Sequence, residues 1–155
     1  RTGGNIEAGT TLRMAEEIPS VVMVKEASGN MAQIMEIARH KPERFSLLSG
    51  DDALTLPIMS LGGDGCISVV ANEVPSEFSE LVRVCLRGKW ERARELHNKL
   101  LDLMNVNFIE SNPIPAKTAL AMMGMIEEVF RLPMVPIGEK NREKLKDALK
   151  RLKLI

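Results

Sequence analysis

The chain has 155 residues, 45% hydrophobic and 27% charged, which suits one soluble globular domain with a sizeable core and argues against a disordered chain. Its 21 Lys and Arg balance 21 Asp and Glu, so no net field draws it to nucleic acid, an acidic membrane or an acidic partner. No apolar run approaches the roughly 20 residues of a membrane helix, and the cysteines, Cys66 and Cys85, lack metal or redox spacing, as suits a reducing, cytoplasmic setting.

The chain opens on "RTGG", a turn-like stretch without an initiator methionine that reads as the end of an element. Residues 10–18 place Leu12, Met14, Ala15 and Ile18 at helical spacing, with Thr10 or Thr11 as N-cap and Pro19 as the stop. Val21 to Val24 is a continuous apolar run rich in β-branched residues, the pattern of a strand buried on both faces of a parallel sheet. A helix over Met31 to Arg39 follows, with Met31, Ile34, Met35 and Ala38 on one face. "RFSLLSGDD" supplies a second strand, and "ALTLPIMSLGG" a helix with Pro57 in its first turn or at a kink. "GCISVVAN" reads as the third strand, followed by a helix whose Phe78, Leu81, Val82 and Cys85 share a face and whose Gly88 ends it. The last third is helical throughout. One long helix carries Trp90, Ala93, Leu96, Leu100, Leu101 and Met104 inward, another ends at Gly124, and a charged one carries Leu145, Ala148, Leu149 and Leu152.

Parallel strands alternating with helices predict an α/β fold, but a sheet that stops after the third strand has two unpaired edges. The natural closed partner is a (β/α)8 TIM barrel, typically about 250 residues, and reactive groups in such barrels sit where strands end. Lys25 stands there. An apolar surround disfavours the charged form of an amine and leaves free base to attack a carbonyl, which makes Lys25 a candidate for Schiff-base chemistry. The plainer alternative is a snorkelling lysine, or one paired with Glu26. "SGDD" (49–52) sets a glycine where backbone passes close to a ligand and two acids able to cap the next helix. The glycines of "GGDG" precede their strand, so they serve turn geometry and packing rather than a phosphate. Cys66 reads as a small core residue, since neither His40 nor His97 is near it in sequence. No metal or cofactor motif appears.

"VMVKEASGN", "LLSGDDALTLPIMSLGGDGCISVVAN", "NPIPAKTAL" and "RLPMVPI", in that order, resemble the C-terminal half of the dihydrodipicolinate synthase family, within the N-acetylneuraminate lyase superfamily. The resemblance implies the C-terminal part of a (β/α)8 barrel, with residues 1–88 forming its last three βα units and 89–155 a helical C-terminal domain. It implies a cytoplasmic homotetramer condensing pyruvate with aspartate semialdehyde in lysine and diaminopimelate biosynthesis, without cofactor, metal, nucleic acid or membrane. Lys25 falls on the Schiff-base position, Arg1 on the arginine that holds the aldehyde's carboxylate, Gly50 on a glycine lining the pocket, and Ile67 on the residue whose carbonyl lies near the lysine. The family's threonine and tyrosine proton relay belongs to the half that would precede Arg1, and this chain has no tyrosine. A chain of this extent is therefore expected to be an incomplete, inactive part that needs its missing half. A related pyruvate aldolase acting on N-acetylneuraminate or 2-keto-3-deoxygluconate, or a non-catalytic half-barrel, are the alternatives.

Overall fold

The computed structural model describes residues 3–155. Among these, β1 (Met23–Glu26), β2 (Ser46–Ser49) and β3 (Gly65–Cys66) form a parallel sheet in that order, with Met23 opposite Ser46 and Leu48 opposite Gly65. A helix precedes the sheet, α1 (Ala8–Glu17), and others connect its strands, α2 (Met31–His40) and α3 (Thr55–Ser60). A 3-10 turn (Val70–Asn72) and α4 (Pro75–Leu86) follow β3, and then α5 (Trp90–Val106), α6 (Ile114–Met122) and α7 (Glu139–Arg151) complete the chain.

Local chemistry sets most of these boundaries. Asn30 caps α2, its side chain accepting from the N–H groups of Ala32 and Gln33. Gly88 ends α4 at φ 67°: its N–H bonds the Cys85 carbonyl and that of Lys89 the Val84 carbonyl, the paired closure that a left-handed residue permits. Three expectations move. α1 begins at Ala8 with Glu7 at its N-cap position, so Thr11 lies inside the helix, buried, rather than capping it. The first strand starts at Met23 instead of Val21, because the Arg44 guanidinium takes the Val21 carbonyl and the ladder begins where Ser46 donates to the Val22 carbonyl. β3 is only Gly65–Cys66, because the Asp52 carboxylate accepts from the N–H groups of Val69 and Val70 and bends the chain beyond the strand into the 3-10 turn.

The helices cover one face of the sheet. Leu47 packs there with Ile34 and Ile37 of α2 and Ile58 of α3, all fully buried, each such side chain contributing about 1.5–3 kcal/mol. The opposite face is open: Met23 is 50% and Ile67 44% exposed. The strand was expected to be buried on both faces, as parallel strands normally are, and in residues 3–155 it is buried on one. Met35, expected inward, is also exposed, since the inner stripe of α2 runs through Gln33, Ile34 and Ile37. A larger core joins Phe78 and Leu81 of α4, Leu100 and Leu103 of α5, and Leu145 and Leu149 of α7, and takes in Met59 of α3 and Val70 after β3. The C-terminal helices thus pack onto α3, α4 and the 3-10 turn in a core separate from the one behind β2.

Candidate active site

Lys25, Gly50 and Ile67 stand at the C-terminal ends of the three strands. Lys25 is opposite Leu48 in the ladder, Gly50 follows Ser49 and donates to the Glu26 carbonyl at 2.7 Å, and Ile67 follows Cys66 and donates to the Ser49 carbonyl at 2.8 Å. Side chains alternate along a strand, so Lys25, Leu48, Gly65 and Ile67 share the open face. Gly50 is there for space. A Cβ on it would lie 2.6 Å from the Ala27 Cβ and 3.1 Å from both the Glu26 carbonyl oxygen and the Lys25 Cε. The absence of a side chain at 50 is therefore what lets the Lys25 stem lie against β2. The structure thus brings Lys25 and Gly50 into contact distance and sets Ile67 one strand further along the same face, while Arg1 lies outside the described residues.

Lys25 is itself exposed, so residues 3–155 do not supply the apolar surround expected of it. Nor does Glu26 pair with it. Adjacent strand residues point to opposite faces, and Glu26, 4% exposed, turns to the helix side, where it accepts from the Ser28 N–H at 2.6 Å and from Gln33 Nε2 at 2.8 Å. Beyond β1 a cleft of about 690 Å³ runs along its outer edge, lined by Lys25 and its neighbours, by Gly3 to Ile6, and by Thr11 and Met14 of α1.

The acids of "SGDD" divide their work. Asp51 accepts from the Ala53 N–H at 2.9 Å, a local turn, but Asp52 does not cap the next helix. It is 1% exposed and reaches across to β3, accepting from Val69 N–H at 3.0 Å and Val70 N–H at 2.8 Å, with the Cys66 thiol 3.6 Å away. Sequence reading missed this tie, which pins the end of β2 to the turn after β3 and so fixes where Ile67 sits. Burial pushes the Cys66 thiol up to about 12, so it is inert as a nucleophile at neutral pH, in keeping with a core residue. The glycines before β3 act as expected: Gly62 adopts φ 93° and Gly63 has no room for a Cβ, which would stand 2.8 Å from Ile58. His40 and His97 lie on α2 and α5, away from the strand ends. Among the described residues, no group of three or more His, Cys, Asp or Glu is placed to hold a metal ion, and no helix is long and apolar enough to cross a membrane.

The sequence model of the dihydrodipicolinate synthetase family matches residues 1–152. The chain belongs to that family. It is 58% identical over 145 residues to the 4-hydroxy-tetrahydrodipicolinate synthase of Koribacter versatilis, covering 94% of this chain and 48% of the relative. It is 52% identical to the same-named enzyme of Chlorobium phaeobacteroides, covering 100% of this chain and 52% of that one. Among solved structures it superposes on dihydrodipicolinate synthase from Aquifex aeolicus with a TM-score of 0.95 at 48% identity, over 99% of this chain and 53% of that chain. The enzyme from Acinetobacter baumannii, solved in complex with pyruvate, is 40% identical with a TM-score of 0.95, over 100% of this chain and 53% of that one. The chain therefore spans about half the length of the relatives it matches, and its sheet is the C-terminal part of a (β/α)8 barrel followed by helices.

Proposed function

We propose that this chain carries the Schiff-base half of a 4-hydroxy-tetrahydrodipicolinate synthase, with Lys25 as the amine. The observation that carries the reading is the seating of Lys25 on the open sheet face, against a glycine that leaves it room, at the strand ends of a chain belonging to this family. The Lys25 Nζ adds to the C2 carbonyl of pyruvate and water leaves, giving an iminium. Its positive nitrogen draws electrons from the methyl carbon, which loses a proton to become an enamine, so the substrate's own imine acts as electron sink and no cofactor is needed. The enamine carbon then attacks the aldehyde carbon of aspartate semialdehyde, whose oxygen takes up a proton; the semialdehyde's own amino group then adds to C2 of the restored iminium, closing the ring and expelling the Lys25 amine, which takes the proton that the new C–N bond releases. Arg1 holds the aldehyde's carboxylate through its two-pronged guanidinium, and the Ile67 main-chain carbonyl faces the lysine across the pocket. The pyruvate named in the Acinetobacter baumannii structure supports the first substrate, and the names of the relatives support the second.

The open sheet face and the cleft along β1 support a second element of the proposal: the preceding half of the barrel closes over Lys25 and supplies its apolar surround and proton relay. The whole protein is then a cytoplasmic homotetramer serving lysine and diaminopimelate biosynthesis, as its family implies, and residues 1–155 alone lack synthase turnover. The test is to co-express the chain with the N-terminal half of the Koribacter versatilis relative, purify the pair, and offer pyruvate with several aldehydes. Consumption of aspartate semialdehyde ahead of N-acetylmannosamine or glyceraldehyde is expected; the opposite order would assign the chain to the sugar-acid aldolases.

A further inference from the structure

Behind the sheet, away from Lys25, two polar side chains meet in the core. Glu73, between the 3-10 turn and α4, is 4% exposed, and Asn107, at the C-terminal end of α5, is fully buried. Asn107 Nδ2 donates to Glu73 Oε2 at 2.9 Å. The other oxygen of each, Glu73 Oε1 and Asn107 Oδ1, is buried without a hydrogen-bond partner. Both orphans are acceptors if the glutamate is ionised, and two acceptors cannot satisfy each other. A carboxylic acid and a primary amide, however, are complementary in two places: the acid's carbonyl accepts from the amide NH2 while its hydroxyl donates to the amide oxygen. One proton on Oε1 removes both vacancies at once.

The surroundings favour that proton. Asp52 is the charged group that acts on Glu73 across this space, and it is a second carboxylate, 1% exposed, held by the Val69 and Val70 N–H groups. Of the charged side chains on the packed helices, Glu77 of α4 pairs with Lys99 of α5 at 3.8 Å, and Lys117 of α6 is turned to the Val129 carbonyl and the Phe130 ring. No cation bonds either Glu73 oxygen among the described residues.

We propose that Glu73 stands in the folded protein as a neutral carboxylic acid joined to Asn107 by two hydrogen bonds, and that this ring is a pH-sensitive clasp between the segment after β3 and the end of α5. Burial raises the Glu73 carboxyl from 4.5 to about 8, the Asn107 bond opposing and the Asp52 charge adding to it. The folded state thus keeps a proton that the unfolded chain releases near 4.5. The clasp's contribution is fully present below that value, is lost progressively as pH rises, and is exhausted above about 8, where the ionised glutamate faces an amide oxygen with no hydrogen between them.

Glu73→Gln provides the test, because an amide at 73 offers the donor and acceptor of the protonated acid at every pH. Urea unfolding of both proteins should give similar stability at the acid end of the window. With rising pH the unfolding constant of the wild type, relative to Glu73→Gln, should climb by about tenfold per pH unit and level off above about 8. A variant that fails to fold leaves a second reading on the wild type alone: the infrared carbonyl band of a protonated carboxyl, present at neutral pH and lost with a midpoint near 8. Parallel pH profiles in the two proteins, or no protonated-carboxyl band at neutral pH, would overturn the proposal.

Discussion

Supplied with pyruvate and aspartate semialdehyde, residues 1–155 alone should turn over at least about 100-fold more slowly than a full-length relative assayed beside them, because positioned acid–base groups typically contribute factors of about 100 to 10,000. The chain contains no tyrosine, whereas the relay implied by its family uses tyrosines and a threonine. The amine is also in the wrong medium. Lys25 is exposed on a sheet face where Met23 and Ile67 are open as well, so water reaches both the amine proposed as nucleophile and the imine it would form. Enclosure strengthens the electrostatic contacts of such a site and protects the intermediate from hydrolysis. A steady-state assay decides this, and turnover comparable to that of the full-length relative would mean that three strands suffice.

Asp52→Ala should lower stability by about 2–6 kcal/mol, since the loss of a buried acceptor leaves each abandoned donor with an unmet desolvation cost of about 1–3 kcal/mol. Two N–H groups are abandoned, those of Val69 and Val70, and Val70 is fully buried. The damage should reach the site, because the same bonds hold the turn that follows Ile67. Asp52→Asn keeps an acceptor oxygen in place and should lose less. Urea midpoints of the three proteins check the order; an alanine variant as stable as the parent would mean that water replaces the carboxylate.

The strand ends were legible in the sequence because the physics there is local. An apolar run rich in β-branched residues marks β1 wherever its ladder begins, and Lys25 follows such a run; the boundary slipped because register depends on Arg44 and Ser46, distant in sequence from the Val21 and Val22 carbonyls they bond. Glu26 was readable in principle, since the period of two along a strand already places it opposite Lys25. Asp52 was not, because an acid beside a helix start reads as a cap, and its true partners arrive after another helix and strand. The Glu73–Asn107 contact spans 34 residues and leaves no periodic trace. Gly50 illustrates the middle case: sequence marks a close approach, and only the packing shows that the atoms approached are those of Ala27, Glu26 and Lys25.

The assignment of the reactive amine is tested most directly by intact mass. The chain, paired with the N-terminal half of its Koribacter versatilis relative whose own sequence ends before the lysine strand, is mixed with pyruvate and reduced with borohydride, beside the same pair carrying Lys25→Ala. A single reduced-pyruvate increment on the chain, absent in the variant, is the predicted result. An increment that persists in Lys25→Ala, or none on the parent pair, would contradict Lys25 as the Schiff-base amine.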